Sequence, residues 1–185
     1  GSGEPVCTPA PGTLTNVTDT FPSDTRVVVL TISDRCSRGE QTDLSGPAVL
    51  HLLSTAGIHN VETATLPDEL DQIAAALKHH AASAQLIVTT GGTGIAPRDV
   101  TPEATRLVCD KLIDGLAERM RAAGLLRTPL APLSRALCGT AGRCLIVNLP
   151  GSVDGARTSL SAILPLLPRA LNLLAGHTTH QPTQP

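Results

Sequence analysis

The sequence predicts an α/β fold, a three-layer sandwich with a mostly parallel central sheet and helices on both faces. Three observations carry that expectation. Short β-branched apolar runs alternate with stretches of helical spacing; the runs are apolar on consecutive positions, as strands buried on both faces require; and three of them open into polar, glycine-rich turns.

Arg26 to Ile32 is the first such run and ends at polar Ser33 and Asp34. A helix follows from about Ser45, with Ser as a cap, Pro47 in the first turn, Leu50 and Leu53 among its apolar positions, and Gly57 as the stop. Asn60 to Leu66 is a weaker strand. Leu70, Ile73, Ala74 and Leu77 keep the i, i+3, i+4, i+7 rhythm of a helix, which puts Asp68 at its N-cap. Gln85 to Thr90 is the clearest buried strand and runs into Gly91-Gly92-Thr93-Gly94. The next helix starts at Thr101-Pro102-Glu103, with Thr capping, Pro in the first turn and an acid beside the positive end of the helix dipole. Leu133 to Leu137 and Cys144 to Leu149 read as two strands around a Gly139-to-Gly142 turn. A last helix spans Val153 to Ala175, where Pro165 and Pro168 kink or split it.

With 185 residues, 41% of them apolar, the chain can bury one full core and is short for two. The fold-bearing domain is placed at residues 25–176. Residues 1–24 and 177–185 are Pro-, Thr- and Ser-rich without periodic apolar positions and are expected to be flexible; Gly1-Ser2-Gly3 resembles an expression remnant. No run of about 18 apolar residues suits a bilayer, and no signal peptide is apparent. Five cysteines without a CxxC pair argue against a zinc ribbon or a disulfide framework, so the expected setting is reducing and cytoplasmic. A net charge of -2 with no basic block, together with one Phe and neither Tyr nor Trp, excludes the usual features of nucleic-acid binders.

In a sheet of this kind the carboxyl ends of the strands form the binding rim. Thr31-Ile32-Ser33-Asp34, Thr90 to Gly94 and Asn148-Leu149-Pro150-Gly151-Ser152 all fall there. Glycines let backbone N–H groups approach an anion, and a following helix N-terminus adds a favourable dipole, so a phosphate or carboxylate ligand is expected. Neither a Walker loop nor a dinucleotide fingerprint is present: no GxxxxGK[ST] occurs, and Pro97 stands where a third glycine belongs. Charge on a bound phosphate then falls to backbone N–H groups, to Arg98 or Arg135, or to a metal. Asp68 and Asp99, both in turns leading into helices, are the candidate ligands for Mg²⁺, with Asp34 and Asp43 behind them. Ser134 suits hydrogen bonding to a ligand. His79-His80 and His177-x-x-His180 read as surface, and no spacing suggests a nucleophilic triad.

The strings TISDR (31–35), DLSGP (43–47), LPDE (66–69), TTGGTG with PRDVTPEAT (89–105), LSRA (133–136) and NLPGS (148–152) resemble the MogA/MoaB family of molybdenum-cofactor biosynthesis proteins over roughly residues 25 to 175. The glycine and PRDVTPE segment is the specific part. The resemblance implies an α/β fold, commonly a homotrimer, that binds molybdopterin and, in the MogA branch, transfers AMP from ATP to its terminal phosphate with release of pyrophosphate. By motif, Asp68 and Asp99 match the catalytic and Mg²⁺-binding carboxylates. Gly91, Gly92, Thr93 and Gly94 match the phosphate loop, and Ser134 a pterin-side residue. Ser33, Asp34, Thr101, Pro102, Glu103, Arg135, Asn148, Pro150, Gly151 and Ser152 fall with the substrate-binding positions. Two alternatives stay open: a MoaB-like protein that binds molybdopterin or a precursor without adenylylating it, and a trimeric module that hands a pterin to other proteins of the pathway. Cys138, where a smaller residue is expected, and the N-terminal extension depart from the pattern.

Overall fold

The computed structural model describes residues 19–178. Most of the extension, with Cys7, and the tail from residue 179 lie outside the described residues. Six strands form one sheet in the order β2-β1-β3-β6-β5-β4. They are β1 (Val27–Ile32), β2 (Val61–Leu66), β3 (Leu86–Thr90), β4 (Lys111–Leu112), β5 (Cys138–Ala141) and β6 (Cys144–Leu149). The first four in sheet order are parallel, whereas β5 runs antiparallel to both β6 and β4.

β1, β3 and β6 are buried along their whole length, as their unbroken apolar runs require. Alternate residues feed two cores. Val27, Val29, Val88 and Val147 meet α2 (Ser45–Thr55), α5 (Asp114–Leu125), α6 (Val153–Ile163) and α7 (Leu167–Leu174) on one face. Val28, Leu30, Ile87 and Ile146 meet α3 (Leu70–Ala81) and α4 (Thr101–Val108) on the other. Full burial of each such side chain contributes roughly 1.5–3 kcal/mol. Phe21, within the stretch expected to be a flexible extension, packs against the first core. Among the described residues no helix is long and apolar enough to cross a membrane.

The expected sandwich is present, with local differences. A four-residue helix, α1 (Asp34–Ser37), follows β1 at once. The segment 133–137 is not a strand: Ala131–Leu133 is a 3-10 turn, and the chain beyond it bonds sideways. Arg121 Nη1 donates to Ala136 O at 2.8 Å, and the Arg135 N–H donates to Thr93 O at 2.8 Å. The strand begins at Cys138, and the reversal falls on Gly142 and Arg143, with Gly142 at φ 58°. Gly139, which reads as a turn residue, sits inside β5 because a Cβ there would stand 2.7 Å from Lys111 O on the neighbouring strand. The last helix is split as its prolines predict, by a 3-10 turn at Leu164–Leu166.

Candidate active site

Parallel register sets the site. Ile32 pairs with Leu66, Thr31 with Thr90, and Thr90 with Leu149, so the chain leaves β1, β2, β3 and β6 at one level of the sheet. The turns beginning at Ser33, Pro67, Gly91 and Pro150 therefore share one rim. Gly91 has φ 93°, and a Cβ there would collide with Ile32 O, so only glycine lets β3 turn so close to β1. Its N–H donates to Leu149 O at 3.0 Å and is not available to a ligand. Among the described residues the N–H groups of Gly92, Thr93 and Gly94 donate to no protein acceptor.

These turns enclose a cavity of about 370 Å³ lined by Ser33, Asp68, Gly91, Gly92, Asp99, Gly151 and Ser152, all expected from sequence. Thr31, Cys36, Gln41, Thr42, Leu44, Ser45, Thr90 and Val153 also line it. Thr31 and Thr90 belong to the strand ends read as the rim, and Leu44 and Ser45 to the DLSGP string, whereas Cys36, Gln41, Thr42 and Val153 are marked in the sequence only by lying next to the TISDR, DLSGP and NLPGS strings. Ser33 and Ser152 cap the helices that start at the rim, accepting from the N–H groups of Cys36 and Gly155. A second cavity of about 270 Å³ takes in Ser134 and Pro150, with Arg121, Arg127 and Asp154; Ser152 lines both.

The carboxylates are held by backbone donors. Asp68 Oδ2 accepts the Asp34 N–H at 2.9 Å, and Asp34 Oδ1 accepts the Asp68 N–H at 3.0 Å, a reciprocal pair joining the turns after β1 and β2. Asp68 is thus not the cap of α3, where Glu69 holds that position without a side-chain bond. Asp99 Oδ2 accepts the Ala96 N–H at 3.0 Å. Arg98 makes a two-point contact with Asp34, Nε to Oδ2 and Nη2 to Oδ1 at 2.9 Å each, and also reaches Glu69. The Arg98 guanidinium bound to Asp34 holds that carboxyl below its usual range. Asp68 is pushed up, chiefly by burial and then by the like charges of Asp34 and Asp99.

Several expected ligand residues have other roles. Asn148 is fully buried: its Nδ2 donates to Thr89 Oγ1 and Thr105 Oγ1 at 3.0 Å each, so it lies beneath the floor of the rim. Thr101 is the first residue of α4, not its cap, and its hydroxyl donates to Gly91 O. Pro102 is buried beside it, and Glu103 pairs with Arg135. Thr93 is buried, and its carbonyl accepts from Arg135. Ser45 is the first residue of α2 and Leu44 holds the cap position; Asp43, just before it, accepts the first-turn Gly46 N–H at 3.0 Å, and its other oxygen takes the Thr31 hydroxyl at 2.6 Å. His79 and His80 lie at the polar end of α3.

The donor set fits Mg²⁺. Asp68 and Asp99 line one cavity, and among the described residues the second oxygen of each accepts no hydrogen bond. The glycine loop brings these groups close: a Cβ on Gly92 would stand 3.1 Å from Asp68 Oδ1, and one on Gly94 2.7 Å from Asp99 Oδ2. No group of three or more potential metal ligands of the His, Cys, Asp and Glu types occurs among the described residues. Mg²⁺ characteristically takes one or two carboxylates and completes its shell with substrate phosphates and water.

Residues 28–169 match the family described as "Probable molybdopterin binding domain", and the chain belongs to that family. It is 42% identical over 153 residues to the molybdopterin adenylyltransferase of Helicobacter pylori strain J99, covering 80% of this chain and 87% of that protein. The crystal structure of the molybdopterin biosynthesis enzyme MoaB from Thermus thermophilus superposes with a TM-score of 0.78 at 48% identity, covering 82% of this chain and 97% of that one. The molybdopterin biosynthesis Mog protein of Mycobacterium ulcerans gives 0.77 at 39% identity, covering 82% and 97% respectively.

Proposed function

We propose that the protein is a molybdopterin adenylyltransferase of molybdenum-cofactor biosynthesis, transferring AMP from ATP to the terminal phosphate of molybdopterin. The observation that carries this reading is the pairing of two carboxylates with open oxygens, Asp68 and Asp99, beside the undonated N–H of Gly92 in one cavity. The similarity to a named adenylyltransferase over most of both chains supports it.

A phosphate oxygen of molybdopterin attacks the α-phosphorus of ATP, the new P–O bond forms, and the bond to the β-phosphate oxygen breaks with pyrophosphate leaving. The substrate supplies the nucleophile, so the protein's task is alignment and charge stabilisation. The N–H group of Gly92 faces a phosphate oxygen, while Ser33, Gly151 and Ser152 bound the cavity. Asp68 and Asp99 would hold Mg²⁺, which when bound neutralises charge on the phosphates. The adjoining cavity with Ser134 and Pro150 takes the pterin side, joined to the first through Ser152.

A homotrimer working in the cytoplasm with other proteins of the pathway belongs to the same reading. Association is supported by exposed Leu125, Leu126, Leu130 and Leu133 near the end of α5. The similarity to a structure named MoaB favours one competing reading, molybdopterin binding without transfer.

Purified protein with molybdopterin, ATP and Mg²⁺ is expected to release pyrophosphate and form adenylylated molybdopterin. Asp99→Asn is expected to lower that rate by about 100-fold or more. Binding of molybdopterin by the wild type with no adenylylated product would establish the competing reading, and a near-normal rate for Asp99→Asn would remove Asp99 from the metal site.

A further inference from the structure

Arg135 falls with the substrate-binding residues by motif, yet its guanidinium is committed to the protein. Nε donates to Gly94 O at 2.7 Å, Nη2 donates to Asp99 O at 2.8 Å, and Nη1 donates to the Glu103 carboxylate. Gly94 and Asp99 are the two ends of one loop. That loop closes on itself between them, the Asp99 N–H donating to Ala96 O at 2.9 Å and Asp99 Oδ2 accepting from the Ala96 N–H. Arg135 spans its open side, contacting both ends at once, while Glu103 on α4 anchors the third nitrogen.

The anchor is itself fixed. The Arg135 N–H donates to Thr93 O, and the carbonyls of Ser134 and Ala136 on either side accept from Arg121 Nη1 at 3.4 and 2.8 Å. Arg121 and Ser134 line the second cavity. A chain of hydrogen bonds therefore runs from the wall of that cavity, through Arg135, to the backbone that carries Asp99. A planar fork meeting three acceptors in different directions is a task for guanidinium, not ammonium.

We propose that Arg135 is a positioning residue, holding the Gly94–Asp99 loop so that the Asp99 carboxylate faces the glycine-loop cavity, rather than a ligand of substrate phosphate. The consequence for metal and nucleotide rests on the adenylyltransferase reading; the loop-holding itself does not.

Arg135→Lys retains the charge and loses the three-point span. Amide hydrogen exchange over residues 93–99 is expected to accelerate about tenfold or more while β3 and β6 exchange as in the wild type. Glu103→Gln, a milder change for use if Arg135→Lys does not fold, is expected to accelerate the same loop to a smaller extent. Unchanged loop exchange in folded variants would overturn the proposal. Calorimetric titration with a non-hydrolysable ATP analogue separates positioning from direct contact. Positioning predicts that Arg135→Lys reduces the gain in affinity caused by Mg²⁺ and adds nothing in an Asp99→Asn background. Direct phosphate contact predicts equal weakening with and without Mg²⁺ in both backgrounds, and that result would also overturn the proposal. A wild-type protein with no Mg²⁺-dependent nucleotide binding would instead defeat the functional reading, leaving hydrogen exchange to decide the role of Arg135.

Discussion

Asp34 and Asp68 exchange hydrogen bonds through their own backbones, but their surroundings treat the two charges oppositely. Arg98 stabilises ionised Asp34, whereas burial and the neighbouring carboxylates penalise ionised Asp68. The unfolded Asp68 carboxyl titrates at its ordinary 3.8, and the folded one above it. Between those values the native state binds the extra proton, so stability falls as pH rises through that window and stays lower at pH 7. Asp68→Asn keeps an oxygen for the Asp34 N–H and removes the charge. At pH 7 without Mg²⁺ the variant is expected to melt at or above the wild-type temperature, and Mg²⁺ with an ATP analogue is expected to raise the melting point of the wild type alone. A lower melting point in the metal-free comparison would mean that the Asp68 charge supports the fold and is not held in reserve for a cation. Asp68, Asp99 and the glycine loop were legible in the sequence because each falls where a strand turns into a helix. The roles of Arg135 and Asn148 were not, since their partners lie 11 to 59 residues away, and that of Asp43 was so only in part, since it joins nearby Gly46 to Thr31 on β1.

At the scale of elements, Asn148 on β6 ties three pieces of chain together. Its amide donates to Thr89 on β3 and Thr105 on α4, and its Oδ1 accepts the Leu137 N–H at 3.4 Å. A fully buried strand tolerates such a side chain near its end only because its polar groups find partners. Asn148→Ala leaves the buried Thr89 hydroxyl and the Leu137 N–H without that partner, whereas Thr105 keeps its bond to Thr101 O, and is expected to lower stability by about 2–4 kcal/mol. Urea unfolding checks this, and a loss below about 1 kcal/mol would show that water or neighbouring side chains replace the amide. The other elements were readable to different degrees for physical reasons. β1, β3 and β6 announce themselves because strands buried on both faces must be continuously apolar. α5 buries only Leu116, Ala117 and Met120 and carries Gly115 and Gly124, so its periodicity is faint. The β5–β6 hairpin was displaced because Gly139 signals a turn locally, and only its close approach to β4 explains a glycine inside the strand.

For the molecule as a whole, the two-sided core controls its thiols. Cys138 faces the α2/α5 side of the sheet and Cys144 the α3/α4 side, and burial pushes each from its ordinary 9.0 up to about 12. Cys109, packed beside Cys144, is pushed up to about 11, again chiefly by burial. The folded state therefore keeps these protons at a pH where the unfolded chain releases them. Their contribution is fully present below pH 9 and is lost as pH rises toward the folded values, at up to roughly 1.4 kcal/mol per pH unit for each of the two fully buried thiols, Cys138 and Cys144. Composition makes this limb unusually clean, because the chain has no Tyr and its only lysines are Lys78 and Lys111. Unfolding free energy, measured in urea at half-unit steps from pH 8 to 10.5, is expected to be flat and then to fall with a slope set by the buried thiols. Replacing Cys138 and Cys144 together by Ala lowers the plateau through lost packing and is expected to leave a shallower fall. An unchanged slope in the double variant would assign the alkaline sensitivity to groups other than Cys138 and Cys144.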